Sequence, residues 1–174
     1  MSISTTRITL SVFDPSDMAL FIELSTSPEI MKHIYDPLSL NEAKHVFNQR
    51  MQPWTIQSNE WLSLSITDNS NNEKIGNIGL KMINRNNNVA EIGFIIKESA
   101  QGKGYAKEAI SLLTSYAFHS LGISTLIATC SVNNVGSYTV LEKAGFTREA
   151  RLQHNAVINN IPVDDYRYVL PFPR

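Results

Sequence analysis

The sequence predicts an α/β fold, a mixed sheet with helices on both faces, and three observations carry that prediction. Apolar-patterned runs at 62–66, 75–83 and 89–96 follow one another across asparagine-rich turns, the pattern of consecutive antiparallel strands. A glycine loop around Gly102 and Gly104 then opens a helical run to Leu121, after which 126–132 reads as a parallel strand. Helix caps and stops stand at Asp14, Ser39, Asn134 and Gly145, at the ends of the apolar runs.

From the N-terminus, residues 8–13 form a first strand, and Asp14 caps a helix with Pro15 in its first position and Phe21 and Leu24 on its apolar face. Ser39 and Glu42 make a capping box for a helix over 40–51, where Leu40, Ala43, Phe47 and Met51 recur at helical spacing. Trp54 and Trp61 follow as core anchors. Alternation over 62–66, a turn at 68–72 and the run 75–83 give a hairpin, and Asn86, Asn87 and Asn88 turn the chain into 89–96. In that strand Glu91, Gly93 and Ile95 share one face, while Ile92, Phe94 and Ile96 share the other, which meets a helix. The helix after the glycine loop carries Ala106, Ala109, Ile110, Leu113, Ala117 and Leu121 along one stripe. Asn134 opens a short helix that stops at Gly145, and two closing strands flank the turn at Asn159 and Asn160, the last over 166–170. No linker, repeat or low-complexity block divides 1–174, so one domain is expected.

Gln101, Gly102, Lys103, Gly104, Tyr105 and Ala106 read as a pyrophosphate-binding turn. Two glycines remove the side chains that hold a phosphate off the backbone, the helix start supplies unpaired N–H groups and a positive dipole end, and Lys103 and Lys107 add charge. Lys107 stands where a dinucleotide fingerprint needs its third glycine, and no Gly-Lys-Ser/Thr closes a P-loop frame. What remains, Gln, two residues, Gly, one residue, Ala, resembles the acyl-coenzyme A signature of the GNAT N-acetyltransferase superfamily. The resemblance runs in order through Ala90, Glu91, Ile92, Gly93 and Phe94 before the loop, and Asn134, Ser137, Leu141, Glu142, Lys143, Gly145 and Phe146 after it. The wording of these blocks is similar to the RimJ/RimL-type branch, which includes ribosomal-protein N-terminal acetyltransferases.

That resemblance implies a GNAT-type fold of about seven mostly antiparallel strands whose central pair, 89–96 and 126–132, splays at its ends. It implies acetyl-coenzyme A (acetyl-CoA) as acyl-donor cosubstrate, and direct attack of a primary amine on the thioester in a ternary complex. The pantetheine arm is expected on the backbone of Phe94, Ile95 and Ile96, where an N–H also stabilises the developing oxyanion. The pyrophosphate is expected on Gln101, Gly102, Lys103, Gly104, Tyr105, Ala106 and Lys107, with Asn134 as a further contact or simply a helix cap. Glu91 matches the strand glutamate that serves as base in some members; the other reading is a surface glutamate paired with a basic side chain. Ser137 stands where the branch often carries serine and is the candidate proton donor to the leaving thiolate, or a capping or packing residue. Many members have a tyrosine one turn further on; here it is Leu141, and Tyr138 lies on a different helical face. The segment 36–53 is expected to cover one side of the site.

The expected acceptor is a protein N-terminal α-amine, whose pKa of about 8 makes it easier to deprotonate than lysine at about 10.4. A polyamine, antibiotic or metabolite amine is the alternative, as is a non-catalytic acyl-CoA-binding regulatory domain. Composition sets outer limits. The 174 residues are 43% hydrophobic and 18% charged, and 15 basic against 16 acidic residues leave a net charge of -1, so neither nucleic acid nor membrane is an expected partner. A single cysteine, Cys130, excludes an internal disulfide and reads as a small strand residue. The four histidines lack metal-ligand spacing, so no metal is expected, and Asp164 and Asp165 read as an exposed acidic turn before the last strand. With no leader-like or membrane-length apolar segment, a soluble cytoplasmic monomer or homodimer is expected.

Overall fold

A computed structural model describes residues 1–173. It is a mixed α/β sheet of eight strands with helices on both faces. The strands are β1 (Ser2–Ser4), β2 (Ile8–Val12), β3 (Leu62–Asp68), β4 (Glu73–Asn84), β5 (Val89–Ile96), β6 (Thr125–Ser131), β7 (Thr147–Ile158) and β8 (Ile161–Pro171). The helices are α1 (Met18–Thr26), α2 (Pro28–Met31), α3 (Leu40–Arg50), α4 (Tyr105–His119) and α5 (Val135–Lys143). Strand order is β1-β2-β3-β4-β5-β6-β8-β7, and β5 with β6 is the parallel pair in an otherwise antiparallel sheet.

The turns follow from the asparagines. Asn72 and Asn88 have φ of 58° and 50°, and Asn159 and Asn160 have 51° and 61°, the left-handed backbone that tight hairpins need and asparagine tolerates. The capping box of Ser39 with Glu42 forms at the start of α3, and Asp14 caps a 3-10 turn over Pro15–Asp17 that leads into α1, Asp17 completing a box there too. Leu10, Leu64, Ile66, Ile78, Leu80, Ile92 and Leu126 meet Ala109, Ile110 and Leu113 of α4 in the main core. On the opposite face Phe13, Phe21, Ala43 and Phe47 tie α1 and α3 together in a second, smaller cluster. Among the described residues no helix is long and apolar enough to cross a membrane.

Four expectations are corrected. The sheet has an eighth strand, β1, whose three residues pair with β2 and are too few to show alternation. Leu40 is not on the buried stripe of α3 but 51% exposed; it is the first residue of the helix and stands outside the cluster of Phe13, Phe21, Ala43 and Phe47. Asp164 and Asp165 are not an exposed turn. They lie inside β8, which begins at Ile161, well before residue 166.

Glycine is required where β4 and β5 approach. A Cβ built on Gly76 would stand 2.4 Å from the Ile95 carbonyl oxygen and 2.9 Å from Ile96 Cδ1. The oxygen belongs to a paired strand and has nowhere to move, so Gly76→Ala is expected to destabilise by about 1–3 kcal/mol. Thermal unfolding checks this, at roughly 2–4 °C of Tm per kcal/mol for a chain of this size.

Candidate active site

The glycine loop lies between the end of β5 and the start of α4. Gly102 and Gly104 have φ of 74° and 85°, and Gly104 is the N-cap of α4 without any side-chain cap. The first N–H groups of a 15-residue helix therefore point out of its end with no side-chain acceptor. A Cβ on Gly102 would meet nothing within 4 Å, and one on Gly104 only Arg7 Nη1 at 3.7 Å, so the backbone itself is the surface offered to a ligand. The loop is held from both sides. Gln101 Nε2 donates to the Ile96 carbonyl at 3.1 Å, and Arg7 Nη2 donates to the Lys103 carbonyl at 2.9 Å. Arg7 also lies over the Tyr105 ring at 4.7 Å and pairs with Glu108 at 3.1 Å, while Tyr105 Oη donates to Asp68 at 2.6 Å.

In front of this loop, a cleft of about 710 Å³ runs between the edge of β5 and α5. Phe94, Ile95, Ile96, Gln101, Gly102, Gly104, Tyr105, Ala106, Lys107 and Asn134 of the expected coenzyme A contacts all line it. Lys103 is not among the lining residues; its backbone carbonyl faces Arg7.

Strands β5 and β6 pair only from Val89 with Thr125 to Glu91 with Ile127 and then part. The edge of β5 beyond Glu91 is left without a strand partner, which is the splay expected of the central pair. A second cavity of about 280 Å³ reaches into this gap from the α1 and α3 side. The two cavities share His33, Ile34, Phe94, Ile95, Asn134 and Ser137, so they meet at the gap.

Glu91 is half-buried on the wall of the smaller cavity, opposite Lys81 in β4. Burial pushes its carboxyl above the usual range; the Thr129 hydroxyl, Lys81 and Arg167 act the other way. Asn134 caps α5, its Oδ1 accepting from the Ser137 N–H at 3.1 Å, which leaves its Nδ2 as the remaining donor. Ser137 therefore does not cap the helix; its hydroxyl faces Cys130. Burial raises that thiol to about 11, despite the Ser137 hydroxyl beside it. Leu141 is 1% exposed and supplies no proton, and Tyr138 packs edge-on against Tyr166 at 5.7 Å.

Several lining residues escaped the sequence reading. His33 and Tyr35 come from the loop after α2, Arg50 from the end of α3, Ser63 from β3 and Asn77 from β4. Trp61 lies across the paired Gly79 and Gly93, 3.2 Å and 3.4 Å from where their Cβ atoms would stand, and lines the smaller cavity. Asp165 also lines it, 7% exposed and accepting from Asn155 Nδ2 at 2.7 Å. The hairpin tip closes over this side, the Asn159 N–H donating to Asp36 at 2.8 Å. No group of three or more metal-ligating side chains is present among the described residues.

Residues 7–147 match the acetyltransferase (GNAT) domain family. The chain belongs to the GNAT family. The GNAT chain is 26% identical over 177 residues to the uncharacterized N-acetyltransferase YnaD of Bacillus subtilis, an alignment covering 98% of it and 96% of YnaD. A GNAT-family acetyltransferase structure from Bacillus anthracis superposes with a TM-score of 0.86, at 24% identity over 98% of each chain. A spermidine N-acetyltransferase from Vibrio cholerae, solved with CoA and spermine, superposes with a TM-score of 0.83, at 25% identity over 96% of each chain. The protein is thus an N-acetyltransferase with the GNAT fold, and enzymes of this family take their acetyl group from acetyl-CoA.

Proposed function

We propose that this GNAT chain acts as one domain over 1–174 and transfers acetyl from acetyl-CoA to a primary amine by direct attack in a ternary complex. One observation carries this reading: the loop-side cleft and the smaller cavity meet at the gap between β5 and β6, with Glu91 on the smaller cavity's wall. Bound acetyl-CoA supplies a thioester carbonyl as the electrophile. The residues present fit it, since two left-handed glycines, an uncapped helix start and Lys107 suit a pyrophosphate, and the free edge of β5 at Phe94, Ile95 and Ile96 suits the amides of pantetheine. Asn134 adds a donor beside that path.

In this reading Glu91 takes the proton from the acceptor ammonium so that the neutral amine attacks the thioester; the C–S bond breaks, the Ser137 hydroxyl protonates the departing sulfur, and the proton shed by the new amide nitrogen restores the hydroxyl. Holding amine and thioester together is the largest contribution, of roughly several kcal/mol. Cys130 stays a neutral thiol at physiological pH, its pKa being about 11, which favours direct attack over an acetyl-cysteine route.

For the acceptor we favour an α-amine, such as a protein N-terminus in the manner of the RimJ/RimL-type branch, because it loses its proton most readily. A second reading, a polyamine, is favoured by the spermine complex of the Vibrio cholerae neighbour and by two carboxylates, Glu91 and Asp165, in one cavity. Coenzyme A release across free-amine peptides, their N-acetylated counterparts and spermidine tests both. Release with the free peptides and not the blocked ones is expected. Release with spermidine alone selects the second reading, and no amine-dependent release overturns acetyl transfer.

A further inference from the structure

The smaller cavity holds a cation whose partner is missing. Arg50, half-buried at the end of α3, lines the same cavity as Glu91. Among the described residues, no carboxylate lies within the 4.0 Å of an ion pair from its guanidinium. Its position is built, not incidental. Gly79 and Gly93 stand opposite each other in β4 and β5, Trp61 lies over them, and the guanidinium lies over the Trp61 ring at 5.8 Å and the Phe21 ring at 5.5 Å. Burial penalises this charge and lowers the pKa of the guanidinium, with only Tyr35 and Glu60 opposing the shift.

Two further donors lining the same cavity are unsatisfied. Ser63 Oγ and Asn77 Nδ2 are buried without a hydrogen-bond partner, on residues 4% and 6% exposed. Native proteins leave few such groups, and those at a cavity wall are the ones a ligand can satisfy. Arginine, a hydroxyl and an amide N–H all donate, so this part of the cavity suits an acceptor of hydrogen bonds that carries negative charge.

We propose that Arg50, with Ser63 and Asn77 of the same cavity, binds a carboxylate on the acceptor while the amine of the same molecule is presented to Glu91. This rests on the reading of the smaller cavity as the acceptor site and narrows the substrate class to amines bearing a nearby carboxylate. Two sources share that chemistry: the α-carboxylate of a free amino acid and the acidic side chain of a first Asp or Glu in a peptide. A third ammonium-rich class, the polyamines, meets repulsion from Arg50 instead. A helix-end arginine serving only the α3 dipole needs no cavity and no idle donors beside it.

The test compares matched pairs by kcat/KM: free amino acids against their amides, and peptides beginning with Asp against the same peptides beginning with Asn. The native chain is expected to prefer the acid in one pair by roughly 10- to 100-fold, the worth of a charged hydrogen bond, and whichever pair shows it identifies the source. In Arg50→Gln that ratio falls towards one, and Arg50→Lys restores part of it. Equal kcat/KM for acid and neutral partners in the native chain overturns the proposal, as does an Arg50→Gln that slows both partners alike. Turnover of neutral amines or spermidine without acid preference sinks the Arg50 assignment and leaves the acceptor-site reading standing. No turnover of any amine sinks both.

Discussion

Glu91→Gln is expected to lower kcat by about 10²- to 10⁴-fold, the usual contribution of a positioned base, with little change in the KM for acetyl-CoA. The amide keeps the size of the side chain and the strand register opposite Lys81, so the loss reports the proton transfer and not the fold. The sign of the pH dependence follows from burial, which raises the Glu91 carboxyl above its ordinary value. A base works only when ionised, so activity falls as pH drops through that raised pKa, earlier than an exposed glutamate of about 4.3 would cause. Deprotonation of the acceptor amine adds a second rise in the same direction, toward about pH 8. The profile of kcat/KM in Glu91→Gln is expected to lose the lower limb and keep the upper one. A variant that retains the native rate and the native lower limb assigns the proton to a water chain.

Gly104→Glu is expected to weaken acetyl-CoA binding by at least about 100-fold, since a like charge set against an anion costs several kcal/mol. Two effects act at this residue. Its φ of 85° is a left-handed backbone, which costs a side-chain-bearing residue roughly 1–2 kcal/mol. The added carboxylate also stands at the uncapped start of α4, where the pyrophosphate is proposed to lie. Only Arg7 Nη1 at 3.7 Å borders the new Cβ, so the chain itself has room to fold. Titration calorimetry measures the loss directly. Ligand-induced stabilisation gives the second readout: at about 100-fold excess over Kd, acetyl-CoA should stabilise the native chain by about 2.7 kcal/mol and the variant by almost nothing. A variant that binds acetyl-CoA as tightly as the native chain removes the loop from the binding site.

The parts that sequence reading reached are those coded within a few residues. The cap at Asp14, the capping box at Ser39, the β5 strand, the glycine loop and the asparagine turns are all local hydrogen-bond or backbone-conformation problems, and each forms as expected. The first half of β8 escaped for the opposite reason. Pro162, Asp164 and Asp165 have poor strand propensity, yet pairing with a long β7 across two register shifts draws them into the sheet. That pairing turns Asp165 from a surface residue into part of a cavity wall.

Arg50 was silent in the sequence because a basic residue at the end of a helix is ordinary there. Only the Gly79 and Gly93 pairing, which seats Trp61, gives its guanidinium a place in the cavity. His33, Tyr35, Ser63 and Asn77 likewise converge from separate elements, and no spacing along the chain encodes their meeting.

By itself, then, the sequence determined the order of elements, the left-handed turns and the uncapped helix start that suits a pyrophosphate, because short-range sterics and hydrogen bonding decide these. Tertiary structure alone decided where β5 parts from β6, the joining of two cavities there and the company around Arg50. Those depend on strand register and long-range packing, which bring together residues more than a hundred positions apart.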